Sequence, residues 1–232
     1  MRQRTRRTEG TDDPFSVSIT DLMCALLSVF ILAFAYFLVT FNQAAAQLNE
    51  NTLKRADILK VIQQEMKDRN IDVAVDLELG VLRLPEGVLF DLGEAELKPH
   101  GQEVVGILGP VINEVLNRPR YQGSVNTVFV EGHTDNLPIQ TDKFASNWEL
   151  STQRAINTFH AALAAAPGLA QLRNTGKEAL VSCGGYADTR PIKANDTEAG
   201  RQENRRIDFR FFMTPPTQDD LRFIRVAPQG AP

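Results

Sequence analysis

Val125-Asn126-Thr127-Val128-Phe129-Val130-Glu131 runs directly into Gly132-His133-Thr134-Asp135-Asn136, an apolar, β-branched segment followed by small and polar residues. The first seven residues read as a strand and the next five as the loop that leaves it. Toward the C-terminus, Asn147 to Ala166 reads as a helix stopped by Pro167-Gly168, Glu178 to Gly184 as a strand, and Arg206 to Met213 as a final strand. Toward the N-terminus, Leu97 to Leu116 reads as a helix, with Val104, Ile107, Leu108, Val111, Ile112 and Val115 on one side. Before it, Val73, Val75, Leu77 and Leu79 alternate, and Leu82 and Leu84 follow Gly80 and end at Pro85, the pattern of two strands around a turn. Strands alternating with helices predict an α/β, or α+β, sandwich over residues 71–213, with helices on one face of a mixed sheet.

A different pattern precedes this domain. Leu22 to Phe41 is an apolar run of twenty residues whose only ionisable groups are Cys24 and Tyr36. As a helix it covers about 30 Å, the thickness of a bilayer hydrocarbon core. Arg2, Arg4, Arg6 and Arg7 precede it and the next basic residue is Lys54, so the positive-inside rule places the N-terminus in the cytoplasm and the domain outside. Ala44-Ala45-Ala46 before Gln47 also fits a cleavable signal peptide, but the apolar run is longer than the usual secretory h-region of about 7–15 residues. The expected organisation is a basic tail over 1–14, a membrane helix over 15–41, a helical linker over 42–70, the domain over 71–213 and a loose tail over 214–232.

Asp21 stands at the mouth of this run. A carboxylate near the centre of a membrane helix costs roughly 2.5–3.5 kcal/mol, so such a group is a site for an ion or a partner by default. Thr20 or Asp21 could instead cap the helix at the interface. In the linker, Ala45, Leu48, Thr52, Arg55, Leu59, Ile62 and Met66 recur at spacings of three and four, which suits either packing on the chain's own domain or a short parallel coil with a second copy.

Composition excludes several classes. The formal net charge is −4, and no basic stripe with interleaved aromatics points to nucleic acid. Cys24 lies in the apolar run and Cys183 in the domain, which argues against a disulfide between them; Cys183 reads as a small buried hydrophobe. His100, His133 and His160 form no recognised metal motif, and no nucleophile is spaced to work with His133, so neither a cofactor nor an enzyme is expected.

The polar residues gather where elements meet, in Gly132 to Asn136, in Ser146 to Ala155, and in Arg201 to Arg206. Singly, each has an ordinary reading: Asp135 in a turn, Arg154 on a solvated helical face, Arg205 and Arg206 as surface charges. Together they place an acid and several guanidinium groups around one loop region, a combination suited to a zwitterion, with the acid taking an ammonium and an arginine fork a carboxylate.

These blocks, in order Gly132-His133-Thr134-Asp135, Asn147 with Leu150-Ser151 and Arg154-Ala155, Gly185-Tyr186 before Pro191, and Asn204-Arg205-Arg206-Ile207, closely resemble the OmpA-like peptidoglycan-binding domain over about Leu89 to Met213. The resemblance implies that Asp135 and Arg154 hold the diaminopimelate of the cell-wall peptide, with Thr134, Asn147, Leu150 and Arg205 or Arg206 lining the site. Phe15 to Met23, with Thr20-Asp21-Leu22-Met23 leading into the apolar helix, is similar to the entry of MotB-type stator subunits. That resemblance implies that Asp21 accepts a translocated ion, a proton or alternatively sodium, and that two copies of this chain work within five copies of a MotA-like or ZorA-like membrane partner. The short link between span and domain is more similar to the ZorB branch, from the Zorya anti-phage system, than to flagellar stators. Three functions remain open: a stator of that branch, a flagellar stator, and a passive tether that binds peptidoglycan.

Overall fold

The computed structural model describes residues 14–215, without the side chains of residues 14–18, 43, 44 and 47–49. Arg2, Arg4, Arg6 and Arg7 and all but the first two residues of the expected tail over 214–232 lie outside the described residues. Helix α1 is Pro14–Lys67. Its segment Ile19–Asn42 has a mean hydropathy of 2.7, is long and apolar enough to cross a membrane, and has no buried residue in its apolar stretch. Two hydroxyls of that segment turn back on their own helix, Ser28 donating to the Cys24 carbonyl at 2.8 Å and Thr40 to the Phe37 carbonyl at 2.9 Å. Since α1 begins at Pro14, Thr20 and Asp21 are within the helix, not at its N-cap.

The second compact unit runs from Leu48 to Pro215 and so includes much of the segment 42–70 expected as a linker. The reason is packing: Ile58, Leu59, Ile62 and Met66 are fully buried in the core of the unit, which leaves Leu59, Ile62 and Met66 no surface for a seam with a second copy. Of the two readings of that periodicity, packing on the chain's own domain is the one found.

After α1 come β1 (Ala74–Asp76), β2 (Val81–Pro85), α2 (Glu86–Leu89), α3 (Pro99–Leu116), β3 (Val125–His133), α4 (Asn147–Ala165), α5 (Pro167–Gln171), β4 (Val181–Gly185), α6 (Glu198–Asn204) and β5 (Arg206–Met213). The sheet order is β1-β2-β5-β3-β4, parallel only between β3 and β4, so the expected mixed sheet is present. The β1–β2 turn needs Gly80, which sits at φ +71. Val128 and Val130 of β3, Ile207, Phe209 and Phe211 of β5, and Leu82 and Leu84 of β2 alternate onto the face that meets α1, α3 and α5. Cys183 packs against this core as a free thiol, and burial pushes its pKa up.

Two glycines set where α4 begins. A Cβ on Gly132 would collide with the Ser151 backbone, and one on Gly185 with Thr152, so only glycine lets the ends of β3 and β4 approach α4 this closely. Ser151 then accepts a hydrogen bond from the Ala187 amide at 3.0 Å, fastening α4 to the loop after β4.

Candidate functional site

The loop leaving β3 is folded by its own polar side chains. Asp135 Oδ1 accepts from the Leu137 amide at 3.0 Å, the local bond that makes Asp a turn residue. Asn147 donates to the Asp135 and Leu137 carbonyls at 3.2 and 3.0 Å and accepts from the Ile139 amide at 3.3 Å, so its amide clamps the loop onto the start of α4. One residue earlier, Ser146 accepts from the Trp148 amide at 3.2 Å and donates to Glu149, a serine cap with its acid three residues on. Leu150 is buried beneath the loop against Ala95, Phe144 and Ile139.

Once α4 is so placed, Arg154 points inward. It is 2% exposed, donates through Nε to the Glu94 carbonyl at 2.8 Å, packs its guanidinium 5.1 Å from the centre of the Phe90 ring, and pairs through Nη2 with Glu86. Arg205 enters from the segment before β5 and meets three acids: Glu86 at 2.7 Å, Asp135 at 2.5 Å and Glu198 at 2.8 Å. Burial lowers the pKa of Arg154 despite its pairing with Glu86; burial opposes the charge of Arg205 too, but Asp135 and Glu198 raise its pKa.

These side chains surround an open pocket of about 310 Å³, lined by Thr134, Asp135, Asn147, Leu150, Arg154 and Arg205 together with Glu86, Glu198 and apolar loop residues. Six of the seven residues expected in the binding site therefore meet at one place. Three buried polar atoms among them lack hydrogen-bond partners: Thr134 Oγ1, Arg154 Nη2 and Arg205 Nε. The last two are in ion-pair contact with the Glu86 carboxylate, so Thr134 Oγ1 is the one of the three without a charged neighbour to hold it. A buried hydroxyl without a partner costs free energy, so a ligand that bonds to Thr134 gains from it.

Arg206 does not join the pocket. Successive strand residues face opposite ways, and Arg206, the first residue of β5, points under the other face of the sheet. There its Nε donates to Asp208 at 3.0 Å, and its other nitrogens reach the Asn204 and Arg190 carbonyls, each at 3.1 Å. Sequence reading also overlooked Glu86, which links the two arginines of the pocket. Between Pro85 and Gly87 it reads as an ordinary acid in a helix's first turn, and only the sheet brings it to Arg154 and Arg205.

The far face of the sheet carries a second polar cluster. Glu131, His133 and Asp208 are buried with one ligand-type atom each within 4.8 Å of the others, an arrangement that resembles a metal site. Guanidinium groups already engage the carboxylates: Arg210 grips Glu131 at 2.8 and 2.9 Å, and Arg83 reaches Asp208 at 3.1 Å opposite Arg206. The charges are matched without a cation, so the chemistry of this donor set is structural. Burial works against ionising Glu131, but His133 and the Arg210 fork hold it down to about 2; burial likewise keeps His133 below its usual value against the pull of Glu131. Tyr186 stacks on the His133 ring at 5.5 Å and Arg190 lies 3.6 Å over Tyr186, closing the cluster from outside.

A sequence model described as the OmpA family matches residues 89–205. Motility protein B of Bacillus subtilis (strain 168) is 29% identical over 169 residues, 71% of this chain and 57% of that protein. An uncharacterized protein of the same organism, YtxE, is 29% identical over 248 residues, 89% of this chain and 94% of its own length. Zorya protein ZorB of Escherichia coli O139:H28 is 26% identical over 157 residues, 66% of this chain and 62% of that protein. Among solved structures, a MotB-like protein from Desulfovibrio vulgaris superposes with a TM-score of 0.55 at 22% identity, over 72% of this chain and 98% of that one, which shows a shared fold. The matched family and the motility-protein relative agree with the reading of the chain as a non-enzyme.

Proposed function

Because this chain belongs to the OmpA family, we propose that its distal domain binds peptidoglycan, and that the pocket between Asp135, Arg154 and Arg205 holds the diamino acid of the wall peptide. The observation that carries this reading is the convergence of Thr134, Asp135, Asn147, Leu150, Arg154 and Arg205 on one pocket, in which the Thr134 hydroxyl is buried without a hydrogen-bond partner. An ammonium group of the ligand meets Asp135, while an acceptor oxygen takes the donors of Arg154, Arg205 and Thr134. Asn147 and Leu150 serve by holding the loop, and Arg206 by supporting the sheet beneath it. The test is co-sedimentation of the full chain, in detergent, with purified peptidoglycan sacculi: wild type is retained, whereas Asp135→Ala and Arg154→Ala are not. Unchanged retention of both variants overturns the reading.

The apolar segment with Asp21 near its start supports a second part of the proposal, that the chain is a stator subunit in a bacterial inner membrane. The N-terminus is cytoplasmic and the distal domain periplasmic, a reading that the arginines before the span support. Two copies of the chain act inside a ring of five MotA-like or ZorA-like partners, and an ion entering along the membrane gradient neutralises Asp21 before leaving on the other side. A proton is the ion proposed, with sodium as the alternative. One elementary charge crossing 100 mV releases about 2.3 kcal/mol, enough to bias one packing of the partner ring over another. Wall binding supplies the fixed point against which the ring turns.

The Zorya-type branch is placed first because the apolar segment ends at Asn42 and the compact unit begins at Leu48, which leaves little room for a long linker. In that branch the motion signals phage attack to cytoplasmic effectors. The flagellar stator is the second reading and the passive tether the third. Genes beside this one decide between the first two: helicase-like or nuclease-like neighbours favour defence, and chemotaxis or flagellar neighbours favour motility.

A further inference from the structure

A turn beside the pocket exposes an apolar side chain that the fold does not use. In Asp91-Leu92-Gly93-Glu94 the Glu94 amide donates to the Asp91 carbonyl at 3.1 Å, and Gly93 sits at φ +74, the position at which such a turn favours glycine. Phe90 before the turn and Ala95 after it are buried, whereas Leu92 is 86% exposed, more than any other large apolar side chain among the described residues. The turn is fastened from beneath: Arg154 donates to the Glu94 carbonyl at 2.8 Å, and the Glu94 carboxylate meets Lys143 at 2.8 Å. A fixed backbone therefore holds Leu92 at the pocket, which it lines together with Gly93.

The loop leaving β3 supplies a matching group. The Leu137 amide is bonded to Asp135 and its carbonyl to Asn147, each at 3.0 Å, yet its side chain is 53% exposed. Turn and loop come close, since a methyl group on Gly93 would lie 3.8 Å from Ile139 Cδ1. Leu92, Leu137, Pro138 and Ile139 thus form an apolar wall of the pocket whose polar wall is Asp135, Arg154 and Arg205. Exposed apolar groups gathered at a pocket mark a contact surface, and their pinned backbones lower the entropic cost of using it. We propose that Leu92 and Leu137 form a clamp for the methyl group of the alanine joined to the diamino acid, so that the site reads two adjacent residues of the wall peptide. The acidic residue on the other side of the diamino acid gains nothing from leucine side chains, whereas a methyl group leaves water against them.

This inference rests on the reading of the pocket as the wall-peptide site, and the experiment separates the two. Two synthetic stem peptides, identical except for alanine or glycine after the diamino acid, are titrated calorimetrically into the full chain in detergent. Wild type binds the alanine peptide about fourfold more tightly, the worth of one buried methyl group. Leu92→Ser, at a side chain too exposed for folding to be at stake, removes the preference, and Leu137→Ser narrows it. Leu92→Met restores the apolar contact and keeps the preference. Leu79→Ser, which changes an exposed leucine between β1 and β2, leaves it intact. Equal wild-type binding of the two peptides overturns the clamp while the wall-peptide reading stands, and a preference that survives both serine substitutions overturns it as well. If Leu92→Ser alters the sedimentation of the chain and not the preference, Leu92 serves a contact between copies and the inference fails. If wild type binds neither peptide, the assignment of the pocket to the wall peptide falls and the clamp falls with it.

Discussion

Arg205 Nη1 lies 2.5 Å from Asp135 Oδ2, which ties the residue before the last strand to the loop that leaves the central one. The same guanidinium group holds Glu86 and Glu198, so it gathers three segments that are far apart in sequence. Arg205→Ala leaves the buried carboxylates of Glu86 and Asp135 short of a counter-charge. Removing one partner of a buried pair costs about 3–5 kcal/mol, and partial exposure of Arg205 places the expected loss near the lower end. Urea unfolding followed by the fluorescence of Trp148, the only tryptophan of the chain, measures it. A loss below about 1 kcal/mol, the range of surface pairs, would show that the cluster is not a structural tie.

The second half of α1 is expected to carry domain stability. Ile62 is fully buried among the core residues of the sheet and α3, so Ile62→Ala removes apolar contacts and leaves a cavity at a cost of about 2–5 kcal/mol. Leu53, exposed on the same helix, serves as the control: Leu53→Ala changes stability by about 0.5 kcal/mol or less. Were the segment an independent stalk, the two substitutions would have similar effects on the unfolding midpoint.

Acid should weaken the domain in two stages, both from the far face of the sheet. His133 has a lowered pKa when folded, because burial and the nearby charge of Arg206 outweigh the pull of Glu131 and Asp208, so the unfolded chain takes up a proton first and stability falls as pH drops below about 6.5. Glu131 falls from 4.5 to about 2, so its contribution is present above 4.5 and is lost between 4.5 and about 2, on the order of 3 kcal/mol in all. His133→Phe keeps a ring to stack on Tyr186, removes the upper stage, and leaves the lower stage to the Arg210 fork, so that stage shrinks and moves to higher pH. Denaturation midpoints from pH 7 to pH 3 follow both stages, and a wild-type stability independent of pH between 6.5 and 5 would refute the first.

Much of this was legible in the sequence because period and punctuation are local. The last strand is Arg206–Met213 as its alternation foretold, and the helix from Asn147 begins where Ser146 can cap it. The pocket was partly legible, since Thr134, Asp135, Asn147 and Arg154 fall in short blocks around one loop and one helix start. Arg205 and Arg206 could not be told apart even with the start of β5 read correctly, because the strand's alternation does not say whether the pocket lies before its first residue or beside its polar face. Glu86 was invisible for a related reason. Nothing local distinguishes it from a solvent-facing acid, and its role comes from pairing of β2 with β5, which joins Glu86 to Arg205 through a backbone bond of 2.9 Å. The spacing of Leu59, Ile62 and Met66 likewise announced a buried stripe, yet periodicity cannot say whether the covering surface belongs to the same chain or to another.

Asp21 carries the prediction that separates a motor from an anchor. It sits within α1, seven residues after the helix begins at Pro14, so its carboxylate is not needed to close the helix end and a neutral side chain of the same shape should fold as well. Asp21→Asn is therefore expected to insert into the membrane and bind sacculi as wild type does. Co-produced with its partner subunit, it should lose ion flux and biological activity by at least about tenfold, since an amide cannot exchange a proton near neutral pH. Asp21→Glu keeps the exchangeable group one methylene further out and retains part of the flux. If Asp21→Asn keeps full flux and activity, Asp21 is not the ion-coupling residue and the motor reading fails. If neither wild type nor variant conducts while both bind sacculi, the chain is a tether.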